Sequence, residues 1–135
     1  MENKGEKKKI LIVDDDKFQL SYAEVMLNVE FDVITADSGQ KALDHLYHGN
    51  IPDLILLDIL MPEMDGFEAY NRIRAIGLLQ DIPIVFLTSV TAETEVQHAL
   101  QIGAADYIMK PYNKENLLGR IWNAIDVYEK KKLKK

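Results

Sequence analysis

Cysteine is absent from the 135 residues. That excludes a disulfide scaffold, a thiolate-bound zinc or iron–sulfur centre and a thiol nucleophile. No apolar run approaches the roughly 18 residues that a membrane span needs. Lys7–Lys9 ahead of Ile10–Val13 imitate the start of a signal peptide, but the apolar stretch at once meets Asp14, Asp15 and Asp16, so a cytoplasmic protein is expected. Basic charge is scarce in the body. Between Ile10 and Glu129 stand 7 basic and 20 acidic side chains, and the lysines that moderate the net charge to −6 crowd into residues 1–9 and 130–135. Such a body repels phosphate backbones, so direct nucleic-acid binding by this domain is not expected. It is a natural place for a divalent cation. Hydrophobic residues at 47% and charged residues at 28% fit one globular domain with a core of its own.

Short apolar runs alternate with amphipathic stretches. Ile10–Val13, Val33–Thr35, Leu54–Leu57, Ile84–Leu87 and Tyr107–Met109 are centres of predicted strands. The first, third and fourth are apolar throughout, as strands covered on both faces require. Helices are predicted near 17–29, 38–48, 65–76, 91–102 and 113–130. Asp16 with Gln19 resembles a capping box, and Ser38 and Asn113 are suited to N-caps. Gly49, Gly77 and Gly103 are placed to end helices in the left-handed conformation. Five strand–helix units imply right-handed crossovers and a doubly wound α/β fold around a parallel sheet. The domain is expected over 9–129, with a lysine-rich tail at 1–8 and a lysine-rich extension at 130–135. No output unit is expected within these residues.

In such a sheet, polar groups at the carboxyl ends of the strands share one edge, where ligands bind. Strand one ends in Asp14-Asp15-Asp16, strand three in Asp58, strand four in Thr88-Ser89 and strand five in Lys110-Pro111. Asp16 reads as a helix cap. Gathered carboxylates destabilise a fold unless something offsets their charge: two of them ~4 Å apart repel by about 4 kcal/mol at an effective dielectric of 20. Mg²⁺ suits the set, as a hard ion that takes a few carboxylate oxygens and keeps waters for a phosphate. A lysine and a hydroxyl nearby can hold phosphoryl oxygens.

Four stretches then carry a resemblance: Ile10–Asp16, Asp53–Gly66, Ile82–Ser89 and Gly103–Tyr112. In order and spacing, across almost all of 9–129, they resemble the receiver domain of bacterial two-component response regulators. The resemblance implies a five-stranded flavodoxin-like sheet in the order 2-1-3-4-5. It implies Asp58 as phosphoacceptor, and Asp14, Asp15, Asp58 and the Leu60 backbone carbonyl as holders of Mg²⁺. Lys110 would bind the phosphate, the Lys110–Pro111 bond would be cis, and Thr88 with Tyr107 would form a switch in which the ring turns inward. The implied partners are a sensor histidine kinase or a histidine phosphotransfer protein, and, through the fourth helix, fifth strand and fifth helix, a second copy or a downstream protein. The chain would catalyse only its own phosphorylation and dephosphorylation.

Two other readings share some of these residues. Asp14 and Asp16 have the spacing of an aspartate-nucleophile phosphatase, although Phe18 stands where a threonine is usual. A flavodoxin-type carrier would need a phosphate loop where the aspartates lie. Other features read as ordinary structure: Asp65-Gly66 as a turn, Met61 and Met64 as packing, His45 and His48 as surface. Trp122 is expected to be partial core, with partner contact by Trp122 or Tyr112 as the alternative. Leu60 and Val90, two residues beyond the phosphoacceptor and the threonine, offer no hydrogen bond to a hydrolytic water, so a long-lived phosphoryl state is expected.

Overall fold

The computed structural model describes residues 6–89 and 93–133. Along the chain run β1 (Lys9–Val13), α1 (Lys17–Leu27), β2 (Asp32–Ala36), α2 (Gly39–Tyr47), β3 (Leu54–Leu57) and α3 (Gly66–Arg74). A 3₁₀ turn (Gly77–Leu79), β4 (Ile84–Thr88), α4 (Glu93–Gln101), β5 (Asp106–Met109) and α5 (Lys114–Leu133) complete it. All strand pairs are parallel, and the sheet order is β2-β1-β3-β4-β5. This is the doubly wound flavodoxin-like fold expected from the sequence.

The two-residue period of a strand divides the core in two. Leu11, Val13, Ile55, Leu57, Ile84 and Phe86 point to one face and pack with α2 and α3 and with Ala99 of α4. Ile10, Ile12, Leu54, Leu56, Val85 and Ile108 point to the other and pack with α1 and α5. That is why the central strands carry apolar residues at every position. Neither face meets water.

Helix starts follow the capping chemistry. The Asp16 carboxylate accepts from the amides of Phe18 and Gln19, Ser38 Oγ from Lys41, and Asn113 Oδ1 from Asn116. The reciprocal half of a capping box is taken over at Asp16, whose own amide donates to Asp14 Oδ1 at 2.9 Å. Gly49 and Gly103 have positive φ as expected, but Gly77 does not. Instead α3 is capped by Ala75, and Gly77 begins the 3₁₀ turn that swings Leu79 into the core. Burying that leucine dictates the local path.

Candidate functional site at the carboxyl edge of the sheet

Strand register alone brings the polar residues together. Val13 pairs with Leu57 and Thr88 with Met109, so Asp14 and Asp58 leave neighbouring strands side by side and Lys110 follows β5 close to Thr88. The Asp58 amide donates to the Val13 carbonyl at 3.0 Å, and the Lys110 amide to the Thr88 carbonyl at 3.0 Å. Asp14 is 3% exposed, Asp58 7% and Thr88 0%. Asp15 is exposed.

Lys110 Nζ lies 2.7 Å from Asp14 Oδ2 and 3.5 Å from Asp58 Oδ2. One ammonium thus bridges two buried carboxylates. Asp58 also accepts hydrogen bonds from the Thr88 hydroxyl and the Ile59 amide. Even so, burial pushes the Asp58 carboxyl above its ordinary value of 3.8. Lys110 opposes that shift, the charge of Asp14 reinforces it, and the two hydrogen bonds pull it back in part. Asp14, Asp15 and Asp58 each place a carboxylate oxygen within 4.8 Å of the others. Three hard oxygen donors at this spacing suit Mg²⁺. They are the one such cluster among the described residues. His45 Nε2 faces the Thr35 carbonyl and His48 Nδ1 the Asp44 carbonyl, so both serve the local backbone. Asp16, spent on its cap, offers no second carboxylate for an Asp-x-Asp phosphatase.

The raised Asp58 pKa fixes a pH dependence. An acid whose folded pKa is raised contributes stability below its unfolded pKa and loses it as pH rises through the folded one. Without metal, the stability of wild type relative to Asp58→Asn is therefore expected to fall as pH climbs from about 4 through the Asp58 titration. Urea melts of both chains across pH check this; a constant difference would contradict it.

Around the carboxylates the structure adds features that sequence reasoning missed. A cavity of about 480 Å³ lies beside Lys110, lined by Gln19, Tyr22, Ser89, Pro111 and Tyr112. Burial, Tyr22 and Asp14 together push the Tyr112 phenol up to about 12. Phe18, 90% exposed, and the exposed Tyr22 and Val25 form an apolar stripe on the outer side of α1. The helix is apolar on both sides, so periodicity could not tell which side is buried.

The Tyr107 ring is already inside, at 9% exposure. Burial and the charges of Glu95 and Asp58 raise its phenol pKa. The Lys110–Pro111 peptide is cis. The Leu60 side chain is 61% exposed; Val90 lies outside the described residues. Trp122 packs against Phe31 with ring centroids 5.0 Å apart and the planes tilted by 35°, and its Nε1 donates to the Glu30 carboxylate. It therefore belongs to the α1–β2 side. The surface between α4, β5 and α5 is lined instead by Val96, Tyr107, Tyr112, Asn116 and Arg120.

The model of the response regulator receiver domain matches residues 10–122. CpxR of Escherichia coli K12, a transcriptional regulatory protein, is 38% identical over 114 residues, which cover 84% of this chain and 47% of that one. The ycf27 protein of Galdieria sulphuraria is 38% identical over 122 residues, 90% of this chain and 46% of the relative. The chain spans about half the length of these curated relatives. A solved receiver domain from Methanospirillum hungatei superposes with a TM-score of 0.85 at 30% identity, covering 93% of this chain and 99% of its own. No helix among the described residues is long and apolar enough to cross a membrane. On its sequence, its fold and the residues gathered at its sheet edge, the chain belongs to the response regulator receiver domain family.

Proposed function

We propose that this receiver is a phosphoacceptor switch centred on Asp58. An Asp58 carboxylate oxygen attacks phosphorus in a phosphohistidine of a sensor kinase or phosphotransfer protein. An O–P bond forms, the P–N bond breaks, and the departing imidazole takes up a proton, leaving an aspartyl phosphate. The observation that carries this reading is the geometry of Asp14, Asp15 and Asp58 around Lys110. Asp14, Asp15, Asp58 and the Leu60 carbonyl would hold Mg²⁺, which when bound offsets the charge of both the carboxylates and the phosphoryl oxygens. Lys110 moves from carboxylate to phosphoryl oxygen. Thr88 exchanges its hydrogen bond to Asp58 for one to the new phosphoryl group, and the Tyr107 ring, already inward, stays packed in the space beneath.

Because a ligand shifts an equilibrium only through unequal affinity for its two states, the Thr88 contact is the lever that reaches α4, β5 and α5. The output is binding of a second copy or a downstream protein at that face. The chain is a signalling switch in a cytoplasmic setting, and the only chemistry it promotes is on its own Asp58.

Incubation with acetyl phosphate and Mg²⁺ should add the mass of one phosphoryl group to wild type. Asp58→Asn, or wild type in EDTA, should gain none. Equal labelling of Asp58→Asn would sink the reading.

The exposed stripe on α1 gives a partner an apolar surface beside the site. Phe18→Ala/Tyr22→Ala is expected to slow transfer from a phosphohistidine protein by about tenfold or more. Uptake from acetyl phosphate should be unchanged. Equal slowing with both donors would place these residues in the chemistry instead.

A further inference from the structure

Gly66, the first residue of α3, lies against the main chain of the phosphoacceptor. A Cβ on Gly66 would stand 2.3 Å from the Asp58 carbonyl oxygen, 2.7 Å from Ile59 Cα and 3.0 Å from the Asp58 carbonyl carbon. All three are backbone atoms, so no rotamer change can make room. The φ of Gly66 is not positive, so its requirement is for space and not for a left-handed backbone. Gly77 and Gly119 differ: a Cβ at either meets nothing within 4 Å.

The close approach closes a loop. The Gly66 amide donates to the Ile59 carbonyl at 2.8 Å. Within the loop Met64 N–H reaches the Pro62 carbonyl at 2.7 Å, and Glu63 takes a φ of 67°, a left-handed conformation that disfavours a non-glycine residue. Ile59, Met61 and Met64 are buried and pin the loop to the core; the Leu60 side chain points out. From the other side, β1 holds the Asp58 amide through the Val13 carbonyl. The Asp58 main chain is therefore clamped between β1 and the start of α3.

We propose that Gly66 is a positioning residue for phosphoryl uptake: the bare Cα at the start of α3 sets where Asp58 and the Leu60 carbonyl stand relative to Asp14 and Asp15. This inference rests on the receiver reading of the site. An alanine methyl needs the Asp58 carbonyl to retreat by about 1 Å to reach ordinary contact. Misplacement of that size costs on the order of 10²-fold in rate. A shift of the loop carbonyls should also weaken the cation site, whose ligands would no longer converge.

The test compares Gly66→Ala with the matched control Gly77→Ala, both in a Gly119→Ala background, where an exposed helical glycine is replaced by a better helix former. Three properties are read: amide chemical shifts of residues 57–61 without metal, the Mg²⁺ dissociation constant by calorimetry, and the rate of phosphoryl uptake from acetyl phosphate at saturating Mg²⁺. Gly66→Ala is expected to move the amides of 58–60 while leaving α5 unshifted. It should weaken Mg²⁺ by about tenfold and slow uptake by about a hundredfold. A folded Gly66→Ala chain that matches the control in shifts and Mg²⁺ affinity would overturn the role. So would a chain that fails to fold in this background, since Gly66 would then serve stability alone. If wild type neither binds Mg²⁺ nor gains a phosphoryl group, the phosphoacceptor reading itself falls, and the role of Gly66 in it.

Discussion

Saturating Mg²⁺ is expected to stabilise this chain by about 2.7 kcal/mol at a hundredfold excess over its dissociation constant. The basis is electrostatic. Three carboxylates converge within 4.8 Å, and a pair ~4 Å apart repels by about 4 kcal/mol at an effective dielectric of 20. Lys110 offsets part of that repulsion through Asp14 and Asp58. A divalent ion that binds the folded cluster and not the unfolded chain draws the equilibrium toward the fold. Asp15→Asn should reduce the gain, because it removes a carboxylate ligand, and should raise metal-free stability by relieving repulsion. Urea melts with and without Mg²⁺ measure both effects. Superimposable wild-type curves would contradict the site.

Replacing Lys110 by methionine should slow phosphoryl uptake by about 10²–10³-fold at saturating Mg²⁺. That is the loss typical when one donor to a developing oxyanion is removed. Methionine keeps much of the apolar stem, so packing changes little while the ammonium disappears. Without metal, the same change takes the ammonium away from the buried Asp14 carboxylate, which lowers stability. The two losses separate by condition: excess Mg²⁺ should restore much of the stability and none of the rate. Uptake as fast as wild type in the methionine variant would remove Lys110 from the chemistry.

Much of this was legible in the sequence because parallel sheets write themselves plainly. Ile10–Val13 and Leu54–Leu57 are apolar throughout since both faces are covered, and the residue after each such run must fall at the carboxyl edge. The convergence of Asp14, Asp58, Thr88 and Lys110 follows from strand order and register, without any loop needing to be known. Other features depended on contacts that no local pattern encodes. Gly77 looked like a helix end, yet the burial of Leu79 turned it into the start of a 3₁₀ turn. Trp122 lies on the fifth helix, but helical phase turns it toward Phe31 and Glu30, away from β5. The apolar stripe of Phe18, Tyr22 and Val25 could not be separated from the buried Leu20, Ala23 and Leu27 on a helix with apolar residues on two sides. Gly66 read as a turn residue because its constraint, the Asp58 carbonyl, lies eight residues back in sequence and is adjacent only in space.

Where the phosphoryl group goes is the most direct test of the account. Wild-type protein treated with acetyl phosphate and Mg²⁺, then quenched with borohydride, converts an aspartyl phosphate to homoserine while free carboxylates survive. Peptide mass spectrometry should then find homoserine at position 58 and at no other aspartate, Asp14 and Asp15 included. Homoserine at another position, or none after demonstrated phosphoryl uptake, would contradict Asp58 as the acceptor.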